Sequence, residues 1–108
     1  MTRVKMDWRR LVLDMDGHAG SGMPGKDIVC AGESAIAQAL LQTLGEMEEE
    51  RKLGMVWTGG PETGNLHIEA APAEGYRDTV EALFRMMVTG LKLLEDSYPE
   101  YIMVEEDR

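Results

Sequence analysis

Apolar and polar residues alternate at Val4 and Met6, and again at Leu11, Leu13 and Met15. A period of two predicts two half-buried strands, joined by a tight turn near Asp7. From Gly17 to Lys26 the run His-Ala-Gly-Ser-Gly-Met-Pro-Gly predicts an irregular loop, because glycine and proline interrupt both regular periods. The period then changes. Ile28, Val29, Ala31, Ala35, Ile36, Ala39, Leu40 and Leu44 recur at helical spacing, which predicts a helix over about 28–48 with Asp27 as its N-cap. Ala31, Gly32, Ala35 and Ala39 would let that helix lie close to a sheet, and Glu46, Glu48, Glu49 and Glu50 form a solvated end.

Met55 to Thr58 and Leu66 to Ala70 flank a turn-rich Gly59-Gly60-Pro61-Glu62-Thr63-Gly64 and predict a second hairpin, with Leu66, Ile68 and Ala70 facing inward. Tyr76, Val80, Leu83, Phe84, Met87, Val88, Leu91 and Leu94 form one apolar stripe, with Arg77, Glu81, Arg85 and Lys92 opposite it. Pro99 ends this second helix, and Tyr101 to Glu105 reads as a closing strand. The order is ββαββαβ. It predicts an α+β fold, residues 1–108 forming one domain in which two long helices pack on a mostly antiparallel sheet.

Composition narrows what such a domain can do. No apolar run approaches the length a bilayer needs, and the first residues lack the apolar core of a signal peptide, so the expected setting is the cytoplasm, with no membrane partner. Eleven basic residues against twenty acidic ones give a net charge of −9, which disfavours direct contact with nucleic acid; the same field would attract a basic partner, but acidity is also a device for solubility alone, and that is the leading reading of the charge. The single cysteine, Cys30, excludes an intrachain disulfide and zinc sites built on several cysteines.

Three patterns overlap between Leu11 and Ser34. Leu11-Val12-Leu13-Asp14-Met15-Asp16-Gly17 resembles the opening motif of haloacid-dehalogenase-type phosphatases, but no lysine and later carboxylate pair follow at strand ends. Gly20-Ser21-Gly22-Met23-Pro24-Gly25 fits a dinucleotide fingerprint, but Asp27 would oppose the phosphate and the chain lacks parallel crossovers. The third pattern pairs His18, at a strand end, with Cys30, twelve residues on and near the start of a helix. A thiol there meets the positive end of the helix dipole, and unbonded amides could serve an oxyanion. Such a pair needs no metal or other cofactor. His67 is the poorer partner, since its alternation with Leu66 and Ile68 turns it outward, while Asp14, Asp16 and His18 could share a strand face as metal ligands. On chemistry alone, a buried structural cysteine and a catalytic one both fit.

The stretch GHAGSGMPGKDIVCAGESAI, Gly17 to Ile36, resembles the ribosomal-processing cysteine protease family Prp, whose signature joins Gly-His-Ala to Asp-Ile-Val-Cys-Ala and a following Ser-Ala. The resemblance runs more loosely along the rest of the chain, to Ser97-Tyr98-Pro99-Glu100-Tyr101 and the last strand. It implies a homodimeric protease that removes the N-terminal extension of large-subunit ribosomal protein twenty-seven, a basic substrate. Cys30 matches the nucleophile and His18 the general base. Asp27 and Ser34 match supporting positions, and Gly17 and Gly25 the ends of the loop that closes over substrate. Glu33 departs from the family, which has a small or apolar residue there, and residues 45–64 offer little to match. The competing reading is a non-catalytic acidic dimer that holds a ribosomal protein.

Overall fold

The structure is a computed structural model that describes residues 1–17, 24–60 and 64–108, with the backbone alone for 24–27. The chain runs β1 (Thr2–Asp7), β2 (Val12–Asp16), α1 (Pro24–Glu49), β3 (Leu53–Gly60), β4 (Asn65–Pro72), α2 (Arg77–Ser97) and β5 (Ile102–Asp107). The ββαββαβ order expected from the sequence is the order observed. The strands form one sheet, β3-β4-β2-β1-β5, antiparallel throughout except where β5 lies parallel to β1.

Strand alternation decides which face is covered. Val4, Met6, Leu13, Met15, Leu66, Ile68 and Ile102 are buried on one side, under both helices, while Arg3, Lys5, Asp14, Asp16 and Glu69 stand on the open side. The α2 stripe meets the sheet through Val80, Phe84, Met87, Val88 and Leu91, as its spacing predicts. Arg77 ties the start of α2 to the first hairpin by donating from Nη2 to the carbonyls of Trp8 and Arg9, both at 3.1 Å. At the far end Glu95 accepts the amide of Val104 at 2.8 Å, which holds β5 beneath the helix.

In α1 the expectations need correcting in two places. The helix begins at Pro24, so Gly25 and Asp27 lie in its first turn, and Asp27 is not the N-cap. Proline suits that place, because the N–H it lacks would have no partner inside the helix and its φ is already helical. The second correction concerns the face. Val29, Glu33, Ala37, Leu40, Leu44 and Met47 turn inward, whereas Ala31, Ala35 and Ala39 are exposed. Gly32 does permit close packing, but against α2 rather than the sheet: a Cβ there would lie 3.2 Å from Leu94 Cδ1. The glutamates at 46, 48, 49 and 50 are exposed, as expected, and Glu48 accepts the amide of Met55 at 3.0 Å.

Candidate active site

The site is built where four strand ends come together. Gly60, Asn65, Asp16 and Arg3 stand side by side across β3, β4, β2 and β1, so the start of β1, the exit of β2 and the mouth of the second hairpin share one border of the sheet. Gly17 closes this border. Its N–H donates to the Gly64 carbonyl at 2.7 Å, its φ is +92°, and a Cβ would fall 2.5 Å from the Met1 carbonyl oxygen, so only glycine fits.

Above that border α1 presents one stripe. Cys30, Glu33, Ser34 and Ala37 recur at i, i+3, i+4 and i+7, which places them on one side of a helix. Together with Thr2, Met15, Gly17, Gly60, Gly64, Asn65 and Leu66 they enclose a cleft of about 280 Å³. The structure thus brings Cys30, Ser34 and Gly17 together. His18 lies outside the described residues. Gly25 and Asp27 are in the first turn of α1.

Cys30 is half-buried and is the seventh residue of α1, not a first-turn residue. An amide at that depth is bonded to the carbonyl four residues back, so the expectation that Cys30's own N–H serves an oxyanion does not hold here. The cause is the early start at Pro24, which adds a turn ahead of the thiol. Beside Cys30 stands a side chain of unusual setting. Glu33 is only 7% exposed and accepts a hydrogen bond from the Thr2 hydroxyl at 2.7 Å, joining α1 to the first residue of β1.

His67 sits on the other side of the sheet, as its alternation predicted. Its Nδ1 lies 2.5 Å from Asp14 Oδ1 and its Nε2 3.0 Å from Glu69 Oε2. The hydrogen bond to Asp14, followed by that to Glu69, raises its pKa above the ordinary 6.5. Asp14 and Asp16 do share that face, with Asp14 engaged by His67. Sequence reasoning missed Thr2, Gly60, Gly64 and Asn65 as cleft residues. The turn glycines were visible in the sequence, but their place beside Cys30 depends on β4 pairing with β2 rather than on local spacing.

An α+β protein with a thiol in a cleft between a helix and a sheet border has the layout of a small cysteine hydrolase. The sequence profile of the family "Cysteine protease Prp" matches residues 1–103, and the chain belongs to that family. The ribosomal processing cysteine protease Prp of Staphylococcus aureus is 32% identical over 88 residues, covering 82% of this chain and 78% of that protein. Among solved structures, the S. aureus protease with a covalently linked product peptide superimposes with a TM-score of 0.78 at 24% identity, covering 99% of this chain and all of that one. A Streptococcus mutans protein, SMU.848, reaches 0.70 at 22% identity, covering 97% and 90% of the two chains. The fold is therefore the Prp fold, and the enzyme class is that of a cysteine protease, which decides against the non-catalytic reading. Among the described residues, no helix is long and apolar enough to cross a membrane.

Proposed function

We propose that this chain is an endopeptidase that processes a ribosomal protein, the N-terminal extension of large-subunit ribosomal protein twenty-seven being the substrate, and that Cys30 is its nucleophile. The observation that carries the reading is the cleft itself, which gathers the chain's single cysteine with Ser34 and Gly17 of the family motif. The S. aureus relative is a ribosomal processing protease and has been crystallised with a substrate peptide, which supports the same class of substrate here.

In this mechanism Cys30 sulfur attacks the scissile carbonyl, and His18, the residue after cleft-lining Gly17 in the chain, accepts the thiol proton and returns it to the departing amine. The thioester formed on Cys30 is then opened by water, which restores the thiol. Cys30's amide is engaged within α1, so the oxyanion donor is another group of the cleft. Gly25 and Asp27 support the start of α1. The net charge of −9 draws in a basic ribosomal protein, the enzyme acts in the cytoplasm without nucleic acid or cofactor, and residues 1–108 work as one domain of a homodimer.

The test is cleavage of a peptide spanning the extension of ribosomal protein twenty-seven, followed by mass spectrometry. Wild-type protein releases two fragments, while Cys30→Ala loses activity by about 10³-fold or more without losing its fold, and His18→Gln loses about 10²-fold or more. Unchanged hydrolysis by Cys30→Ala rejects the nucleophile, and an intact peptide with wild-type protein rejects the substrate.

A further inference from the structure

A strand at the edge of a sheet leaves a row of backbone amides and carbonyls without partners, and proteins blunt such edges with charge, proline or a covering element. The two edges of this sheet differ. β5 carries Glu105, Glu106 and Asp107, and Glu106 is held by Lys92 and by the indole N–H of Trp8, which donates to it at 2.9 Å. β3, at the other edge, runs from Leu53 to Gly60 without a charged residue, and its Val56 and Trp57 are 61% and 51% exposed. Hydrogen bonding fixes which of its groups face outward. Ala70, the register partner of Met55, turns its amide to the Leu11 carbonyl, and the Met55 amide donates to Glu48 Oε2 at 3.0 Å, on the side away from β4. Antiparallel pairing alternates, so Trp57, two residues further on, also turns its amide and carbonyl to the open edge. Glu48 therefore closes the edge at Met55, and among the described residues no side chain caps it at Trp57.

Resting on the peptidase reading above, we infer that the open edge of β3 is the docking strand for substrate: an extended peptide pairs with Trp57 as a sixth strand, and an aromatic or large apolar side chain of that peptide packs on the Trp57 indole. Continuity with the cleft selects this occupant. β3 ends at Gly60, which lines the cleft with Cys30, so a chain laid along its edge is led to the thiol. Trp57 shares a face of the sheet with its register partner, the buried Ile68, and so stands on the side where α1 carries Cys30. A second copy fits the edge poorly. Beyond Met55 only about 16 Å of strand is open, too little by itself for the roughly 800 Å² per partner of a stable interface. From Trp57 to Gly60 is about 10 Å of strand, so the indole meets a peptide residue three or more positions from the bond that is cut. A contact that far from the reacting atoms is made equally before and during cleavage, so it lowers KM and leaves kcat unchanged.

The experiment measures kcat and KM on peptides that share the cleavage sequence of the ribosomal protein twenty-seven extension and carry a single Phe, Leu or Ser at each of the third to sixth positions on either side of the scissile bond. Wild-type protein is expected to show one position at which Phe lowers KM about three- to tenfold relative to Ser, with Leu between them and kcat unchanged. Trp57 stands outside the core cluster and threonine suits a strand, so Trp57→Thr should fold, and it should erase the preference at that position alone, while Trp57→Phe should keep it. N-methylation of the peptide amide at or next to that position should raise KM in wild type and in Trp57→Thr alike, because backbone pairing survives loss of the indole. An unchanged KM pattern in Trp57→Thr, or an N-methyl scan without effect, overturns this inference alone while cleavage still depends on Cys30. So does a Trp57→Thr protein that keeps the pattern but loses self-association in sedimentation, which assigns the edge to a second copy. Absence of any Cys30-dependent cleavage overturns the peptidase reading and this inference with it.

Discussion

The two helices lie on the same face of one sheet, yet they were built to different specifications. In α2 every inward position is apolar, from Val80 through Phe84 and Met87 to Leu91, and the stripe is legible at a glance. In α1 the inward line runs Val29, Glu33, Ala37, Leu40, Leu44, so a carboxyl and a small residue interrupt it just where the cleft lies. The difference teaches that a helix devoted to the core advertises its face, while a helix that lines a cleft gives up part of that signal. The same substitution should therefore read out as stability in α2 and as activity in α1.

The largest effect on folding is expected at Phe84, which is fully buried. Phe84→Ala should cost about 3–5 kcal/mol in denaturant unfolding, whereas Cys30→Ala on the half-buried thiol should cost far less and remove hydrolysis instead. Equal losses of stability would erase the contrast. A smaller effect separates the two sides of α1. Ala37→Leu, at a position 1% exposed, should cost about 1–3 kcal/mol through overpacking, and Ala35→Gln, on the exposed side, should stay within about 0.5 kcal/mol. The reverse result would put the small-residue strip back against the sheet.

The smallest effect comes from the side of the sheet that neither helix covers. The pKa of His67 is raised by Asp14 first and Glu69 second, so the folded state favours its protonated form. That contribution is fully present below the unfolded value of 6.5 and is lost as pH rises through the raised folded value. The His67 side chain is 36% exposed, so screening limits the contribution to about 1 kcal/mol or less. Wild-type protein should exceed His67→Thr in stability at a pH of about 5.5, and the excess should shrink as pH rises through the raised folded value. A constant difference across that range would remove the charge account.

Most of the fold was readable because it rests on local periods. Alternation located both hairpins, turned His67 outward, and placed Leu66, Ile68 and Ala70 inside. Leu11 follows the same inward alternation but sits at φ +56° in the turn, so β2 begins one residue later. The start of α1 was misread because proline and glycine were taken as helix breakers, when proline is at home in a first turn. Its inward face was misread because three exposed alanines mimic a packing stripe, and nothing local distinguishes them from Ala37. Of the site, Cys30, Ser34 and Gly17 were found through the motif and do line one cleft, whereas Thr2 and Asn65 could be found only once the sheet order was known.

The parallel pairing of β1 with β5 has a consequence for the birth of this protein. Thr2 lies opposite Ile102, and its amide bonds to Tyr101, so one wall of the cleft finds its neighbour a hundred residues down the chain. During synthesis β1 can zip to β2 at once, but its other edge waits until residues 102–107 have been made. Contacts of such long sequence separation are slow to close. A nascent chain therefore cannot complete the cleft wall at Thr2 before β5 has left the ribosome.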